Sequence, residues 1–190
     1  GHSKWTSPVK PAVNALQVRT NGAVGDYNHY RTYRYSGTPD RAISILTIDC
    51  LAALQQRGYS LEPGDLGENV TLDAPEDVLG VGVRLRALGR GQDGAESVEL
   101  EITEAMIPCM NLEFIPSISV LPDARRRAFP RLCRGLRGWH TRVLVEGTLH
   151  EDDALAILPA EQKTHGFPDV PASSRVRRWG YRKQTSSVGK

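Results

Sequence analysis

A chain of 190 residues, 39% apolar and 24% charged, has the make-up of one globular domain with its own core. Its net charge of +2 gives no electrostatic argument for nucleic acid or a membrane surface as partner, and no run approaches the roughly eighteen apolar residues of a membrane-spanning helix. Three cysteines, Cys50, Cys109 and Cys133, are an odd number at spacings that fit no zinc pattern, so with no basic-then-apolar leader the chain reads as reduced and cytoplasmic.

In chain order, Gly1-His2-Ser3 reads as an expression remnant within a tail over 1–8, followed by a domain over 9–160 and a basic extension over 161–190. Val9 to Val18, interrupted by Pro11, suits an opening strand, and Asn21-Gly22 marks a turn. Gly25 to Arg31 and Ser36 to Asp40 read as irregular loops. Ala42 to Leu46 is a β-branched strand. A helix over Cys50–Arg57 follows, with Thr47 and Asp49 as its caps and Gly58 as its stop. Period-two alternation then predicts strands at 70–72, 83–88, 98–103 and 141–146. The glycines at 80–82, 89–94 and 147 read as hairpin turns, which predicts a mainly β chain with a few helices, closed or nearly closed into an antiparallel barrel. The arginine-rich stretch 121–138 reads either as a solvated helix face or as a wall for an anionic ligand. The segment 175–183, with Trp179 and Tyr181, reads as a docked arm or as a surface for single-stranded nucleic acid.

Cys109 closes the run Glu101-Ile-Thr-Glu-Ala-Met-Ile-Pro108-Cys109. Pro108 fixes φ and ends the strand, which sets the thiol at the strand's rim. A cysteine alone is more often a small buried hydrophobe than a reactive group. Pro63-Gly-Asp-Leu-Gly67-Glu68-Asn69-Val70 brings two glycines and two acids into a strand, chemistry shared by ordinary turns and by loops that approach a ligand. Asp40 and Arg41 hold an anion or pair with each other, and His29 lies in a polar loop as a proton source or a solvated imidazole.

In order and spacing, Gly22 to Asp26, Pro39 to Ile43, Pro63 to Val70, Leu79 to Gly82 and Glu101 through Pro108-Cys109 resemble the MOSC domain, the family named after the C-terminal domain of molybdenum cofactor sulfurases. The resemblance runs from about Val9 to Pro159. It implies a β-barrel-like fold and a single cysteine, here Cys109, that ligates the molybdenum of molybdopterin or carries sulfur as a persulfide. It also implies a cofactor pocket lined by Asp40, Arg41, Gly67, Glu68, Asn69 and Thr103, with the loop bearing Asp26, His29 and Arg31 near the substrate. The loop Tyr35-Ser36-Gly37-Thr38 lacks the His-Gly-Gly that many members carry before the Asp-Arg-Ala element, and the chain is expected to work without a pyridoxal-phosphate, ferredoxin or flavin domain of its own.

The function so implied is binding of molybdenum cofactor and reduction of N-hydroxylated bases or related N-oxygenated compounds, with electrons from an external reductase and a small molecule as substrate. The alternatives are a sulfur carrier loaded by a cysteine desulfurase, and a non-catalytic module that docks a partner through its basic segments. No membrane partner is expected, and the chain is expected to be a monomer or a homodimer.

Overall fold

The structure is a computed structural model that describes residues 8–27, 37–88 and 97–160, together with the backbone of 172–179. Its elements are β1 (Ala15–Arg19), β2 (Gly22–Ala23), β3 (Ile43–Thr47), α1 (Ile48–Gln56), β4 (Val70–Asp73), β5 (Arg84–Ala87) and β6 (Glu99–Ala105), then α2 (Pro116–Ser119), α3 (Asp123–Leu132), β7 (Trp139–Val145), β8 (Gly147–His150), β9 (Ala154–Leu158) and β10 (Ala172–Trp179). Six strands form a curled sheet in the order β4-β3-β7-β6-β5-β9, and β10 pairs with β4 at one edge and β9 at the other, closing a barrel. A second sheet, β2-β1-β8, contributes Leu16, Val18, Ala23 and Leu149 to the same core.

The mainly β barrel with a few helices is the fold expected from the sequence, with two corrections. The pairing is not uniformly antiparallel, because β3 and β4 run parallel, with Ile45 opposite Val70. Parallel neighbours need a crossover, and α1 with the loop after it supplies one. Two glycine turns are also not hairpins. The turn at 80–82 joins β4 to β5 and the one at 147 joins β7 to β8, and neither pair is bonded. Of the three predicted glycine turns, the one between β5 and β6 alone joins ladder neighbours, with Leu85 opposite Leu100. Glycine signals a reversal of the chain but not which strand the returning chain meets.

All five residues of β3 are buried, which fits a strand covered on both faces. Ile43 and Ile45 pack in the barrel core, while Leu46 joins a second core of Cys50, Leu51 and Leu54 from α1, Phe129 from α3, and Leu112, Ile115 and Ile118. Thr47 caps α1 by accepting from the Cys50 N–H at 3.3 Å, and Gly58 ends it at φ +82°, as the sequence predicts. The helical layer thus lies beside the barrel, with the β6–α2 connection at the seam. No described helix is long and apolar enough to cross a membrane.

Candidate functional site

β6 ends at Ala105, three residues before Pro108, and the Met106 N–H carries the pairing with the β7 side one residue further by donating to the Gly138 carbonyl at 2.8 Å. Cys109 follows in extended backbone and precedes a 3-10 turn over Met110–Phe114. Its thiol is exposed, whereas Cys50 and Cys133 are buried at 1% and 0% exposure. Burial pushes both buried thiols up to about 12, which leaves them neutral hydrophobes. Of the three thiols, Cys109 alone is exposed.

Arg137 lies behind it, in the stretch 121–138 that the sequence reads as a solvated helix face or a wall for an anionic ligand. It is buried, at 7% exposure, and reaches both loops of interest. Its Nη2 donates to the Leu66 carbonyl at 2.5 Å, and its Nη1 lies 3.8 Å from Met106 Sδ. Burial lowers its pKa, while Glu68, Cys109 and Cys133 act electrostatically in the opposite sense. A guanidinium stays charged even so. What sets it apart from the other arginines of that stretch is the flanking Gly135 and Gly138, which mark an irregular turn in which a basic residue can point inward.

Three predicted residues gather at an open cleft of about 340 Å3 lined by Thr38, Asp40, Arg41, Thr103, Glu104 and Arg142. The Thr103 hydroxyl lies 2.6 Å from the Asp40 carbonyl and 3.0 Å from that of His140, and so ties the Pro39–Arg41 turn to β6 and β7. Arg41 donates to both carboxylate oxygens of Glu104, with Nη2 at 3.1 Å from Oε2. Asp40 pairs with Arg142 at 3.3 Å. The predicted choice between holding an anion and pairing with each other resolves differently, since each residue pairs with a neighbour on β6 or β7.

The Gly67-Glu68-Asn69 residues do not line that cleft; Glu68 and Asn69 are buried and Gly67 is half-buried. Asn69 Oδ1 accepts from the Ser44 N–H at 3.0 Å and the Ser44 hydroxyl at 2.9 Å. Its Nδ2 donates to Asp26 Oδ2 at 2.9 Å, and the same oxygen accepts from Lys10 Nζ at 2.8 Å. Asp26 therefore belongs to a buried ion pair, with side-chain exposures of 5% for Lys10 and 1% for Asp26. Glu68 Oε1 accepts from the Gly64 N–H at 2.5 Å and from the Thr71 hydroxyl at 3.0 Å, while its buried Oε2 has no hydrogen-bond partner among the described residues. Gly67, at φ +81°, lets the Pro8 backbone approach, since a Cβ there would meet the Pro8 carbonyl at 2.7 Å. His29 and Arg31 lie outside the described residues.

Within the arginine-rich stretch 121–138, Asp123–Leu132 form the helix α3, and its first arginines serve the fold. Arg125 stacks over the Tyr59 ring at 5.0 Å and donates to the Gly58 carbonyl at 2.9 Å, while Arg126 and Arg127 pair with Asp123.

A family model described as MOSC domain matches residues 32–156. Among solved structures, the YuaD protein from Bacillus subtilis is similar at 21% identity and TM-score 0.65, over 82% of this chain and 90% of that one. YiiM from Escherichia coli is similar at 19% identity and TM-score 0.53, over 86% of this chain and 72% of that one. At these identities the likeness concerns the fold. No curated protein matches the chain.

Proposed function

Because the chain belongs to the MOSC domain family, which is associated with molybdenum cofactor, we propose that it binds that cofactor through Cys109 and reduces N-hydroxylated bases or related N-oxygenated compounds with an external reductase. The observation that carries the reading is the contrast among its sulfurs: one exposed thiol follows the end of a barrel strand, and two are buried and neutral. A soft thiolate suits molybdenum, which gives the donor the right chemistry. Arg41 and Thr103, in the cleft by the strand that leads to Cys109, would offer donors to the cofactor's phosphate. Asn69 and Glu68, buried behind, would fix the loop that Arg137 holds. When bound, the cofactor supplies the redox centre. The overall conversion breaks an N–O bond, consumes two electrons and two protons, and releases water, with the electrons drawn from the partner.

The test is metal and pterin analysis of chain made in a host that synthesises molybdenum cofactor, comparing wild type with Cys109→Ser. Stoichiometric molybdenum in wild type, lost in the variant, is the expected result. A metal-free wild type that gains a sulfur adduct on Cys109 when incubated with a cysteine desulfurase and cysteine would overturn it. That outcome would favour the sulfur-carrier reading, which draws on the same exposed thiol.

A further inference from the structure

Exposed apolar side chains are not spread evenly over the molecule. Of the nine large ones exposed among the described residues, five, Ile107, Met110, Phe114, Val120 and Leu132, come from the stretch that starts beside Cys109 and ends with α3. Ile107 and Met110 bracket the exposed thiol, at 84% and 61% exposure. The 3-10 turn over Met110–Phe114, α2 and α3 pack on one another through Leu112, Ile115, Ile118 and Phe129, so these five stand on the outside of one layer. Apolar surface gathered in this way marks an interaction site, which a single exposed leucine does not.

The polar groups of the same layer are basic. The stretch 107–138 carries six arginines and no lysine against Glu113 and Asp123, whereas the whole chain nets only +2, so the rest of the molecule is net negative. Asp123 is already engaged by Arg126 and Arg127. Arg131 and Arg134, on either side of Leu132, are exposed and have no side-chain hydrogen bond or ion pair among the described residues. The turn that carries Arg134 continues into Arg137 and Gly138, both in contact with Met106, so the free charge lies on the segment that abuts the Cys109 loop. Arginine, methionine and phenylalanine together are the side chains that protein interfaces favour.

We propose that this layer is where the external reductase docks, and that the electron-carrying protein it receives presents an apolar centre ringed by carboxylates. The inference rests on the reading of Cys109 as the point that electrons must reach, and it adds the place and the charge of the donor. The electrons are the two that reduction of the N–O bond already consumes, so no further redox step enters. Charge and composition decide between occupants. A second copy of the chain meeting this face about a two-fold axis would set the arginines against themselves. Single-stranded nucleic acid stacks on aromatic rings, and Phe114 is the one ring among the five exposed residues. An anionic membrane would satisfy the arginines but leave the thiol covered, whereas a weakly bound carrier departs after each delivery. A small apolar centre with a charged rim suits that transient class.

The test uses the full chain as purified and two acidic electron carriers, a plant-type two-iron ferredoxin and a flavodoxin, with basic cytochrome c as control. Thermophoresis at low salt is expected to show an acidic carrier binding and cytochrome c not binding, with affinity falling about tenfold as salt rises from about 20 to about 200 mM. Bound carrier should also slow alkylation of Cys109 by iodoacetamide, which places it over the thiol. Arg131→Glu with Arg134→Glu, and separately Ile107→Ser with Met110→Ser, should each weaken binding by about tenfold or more. Arg19→Glu and Val81→Ser, exposed on other elements, should leave it unchanged. The proposal is overturned if neither acidic carrier binds, if cytochrome c binds as well as they do, or if both face variants keep wild-type affinity. It is also overturned if a sizing column shows a dimer that the Ile107 and Met110 substitutions dissolve, or if phosphatidylglycerol vesicles or a single-stranded oligonucleotide bind where no carrier does. Should a face variant fail to fold, wild type alone decides, since a salt-independent complex or an unprotected thiol refutes the docking. Molybdenum retained through Cys109 by a chain that no carrier binds sinks this inference and leaves the cofactor reading standing. Carrier binding over the thiol of a chain that takes up no molybdenum does the reverse.

Discussion

At the scale of single residues, the two buried thiols impose a pH dependence of their own. Cys50 and Cys133 have ordinary values near 9.0, and burial raises both to about 12 in the folded chain. Between those values the unfolded chain has lost protons that the folded chain keeps, so stability is whole below pH 9.0 and drains as pH climbs toward 12. Each thiol contributes a slope of up to about 1.4 kcal/mol per pH unit. The urea midpoint is therefore expected to fall steeply across that window, and Cys133→Ala, despite a lower midpoint at neutral pH, should show a shallower alkaline decline. An unchanged slope in the variant would mean that Cys133 is not the neutral core residue its burial implies. Cys109 stands outside this accounting because it is exposed, and Pro108 had marked that difference in the sequence.

At the scale of elements, the connection at Gly135–Gly138 holds the site together, and its two glycines separate backbone conformation from space. Both have positive φ, +75° and +81°. A Cβ at Gly135 would meet nothing within 4 Å, whereas one at Gly138 would sit 2.0 Å from the Ile45 carbonyl of β3. Gly135→Ala is expected to cost about 1–2 kcal/mol, the left-handed penalty alone. Gly138→Ala should cost about 3 kcal/mol or more, because β3 and β7 must part to admit it. Chemical denaturation of the two variants side by side checks the ordering, and equal losses would refute it. Much at this scale was legible in sequence: the caps of α1, the alternation of β5 and β6, and Pro39-Asp40-Arg41 opening β3 all follow from local rules. Pairing was less legible. The alternation of a strand says which face is buried but not which strand lies beside it, so the parallel β3–β4 ladder and the departure of β8 to the second sheet left no local mark. The site divides in the same way. Cys109, Asp40, Arg41 and Thr103 come from motifs, while Arg137, Lys10 and Glu104 owe their places to partners 16 to 71 residues away.

At the scale of the whole molecule, closure depends on a strand that lies beyond the family match. The match ends at residue 156, and β10 begins at Ala172. Without β10, the barrel is an open sheet whose two edges are β4 and β9, with buried Val70, Thr71 and Leu72 on one and Leu155, Ala156 and Ile157 on the other. β10 satisfies the outward backbone groups of both at once, from Arg175 opposite Asp73 to Ala172 opposite Ile157. Unpaired edges of that apolar character are templates for association with other chains. A chain ending at residue 160 is therefore expected to lose cooperative unfolding and to self-associate on a sizing column, while the same chain supplemented with a synthetic peptide spanning 168–183 should recover a monomer-like elution and a higher melting temperature. The segment's backbone then has a structural role independent of any nucleic acid: β10 is the stave that closes the barrel, and its removal should disturb the Cys109 loop only through the sheet, since the described contacts of that loop run to Gly138 and Arg137. A truncated chain that stays monomeric and melts as the full one does would show that the six-strand sheet is self-sufficient.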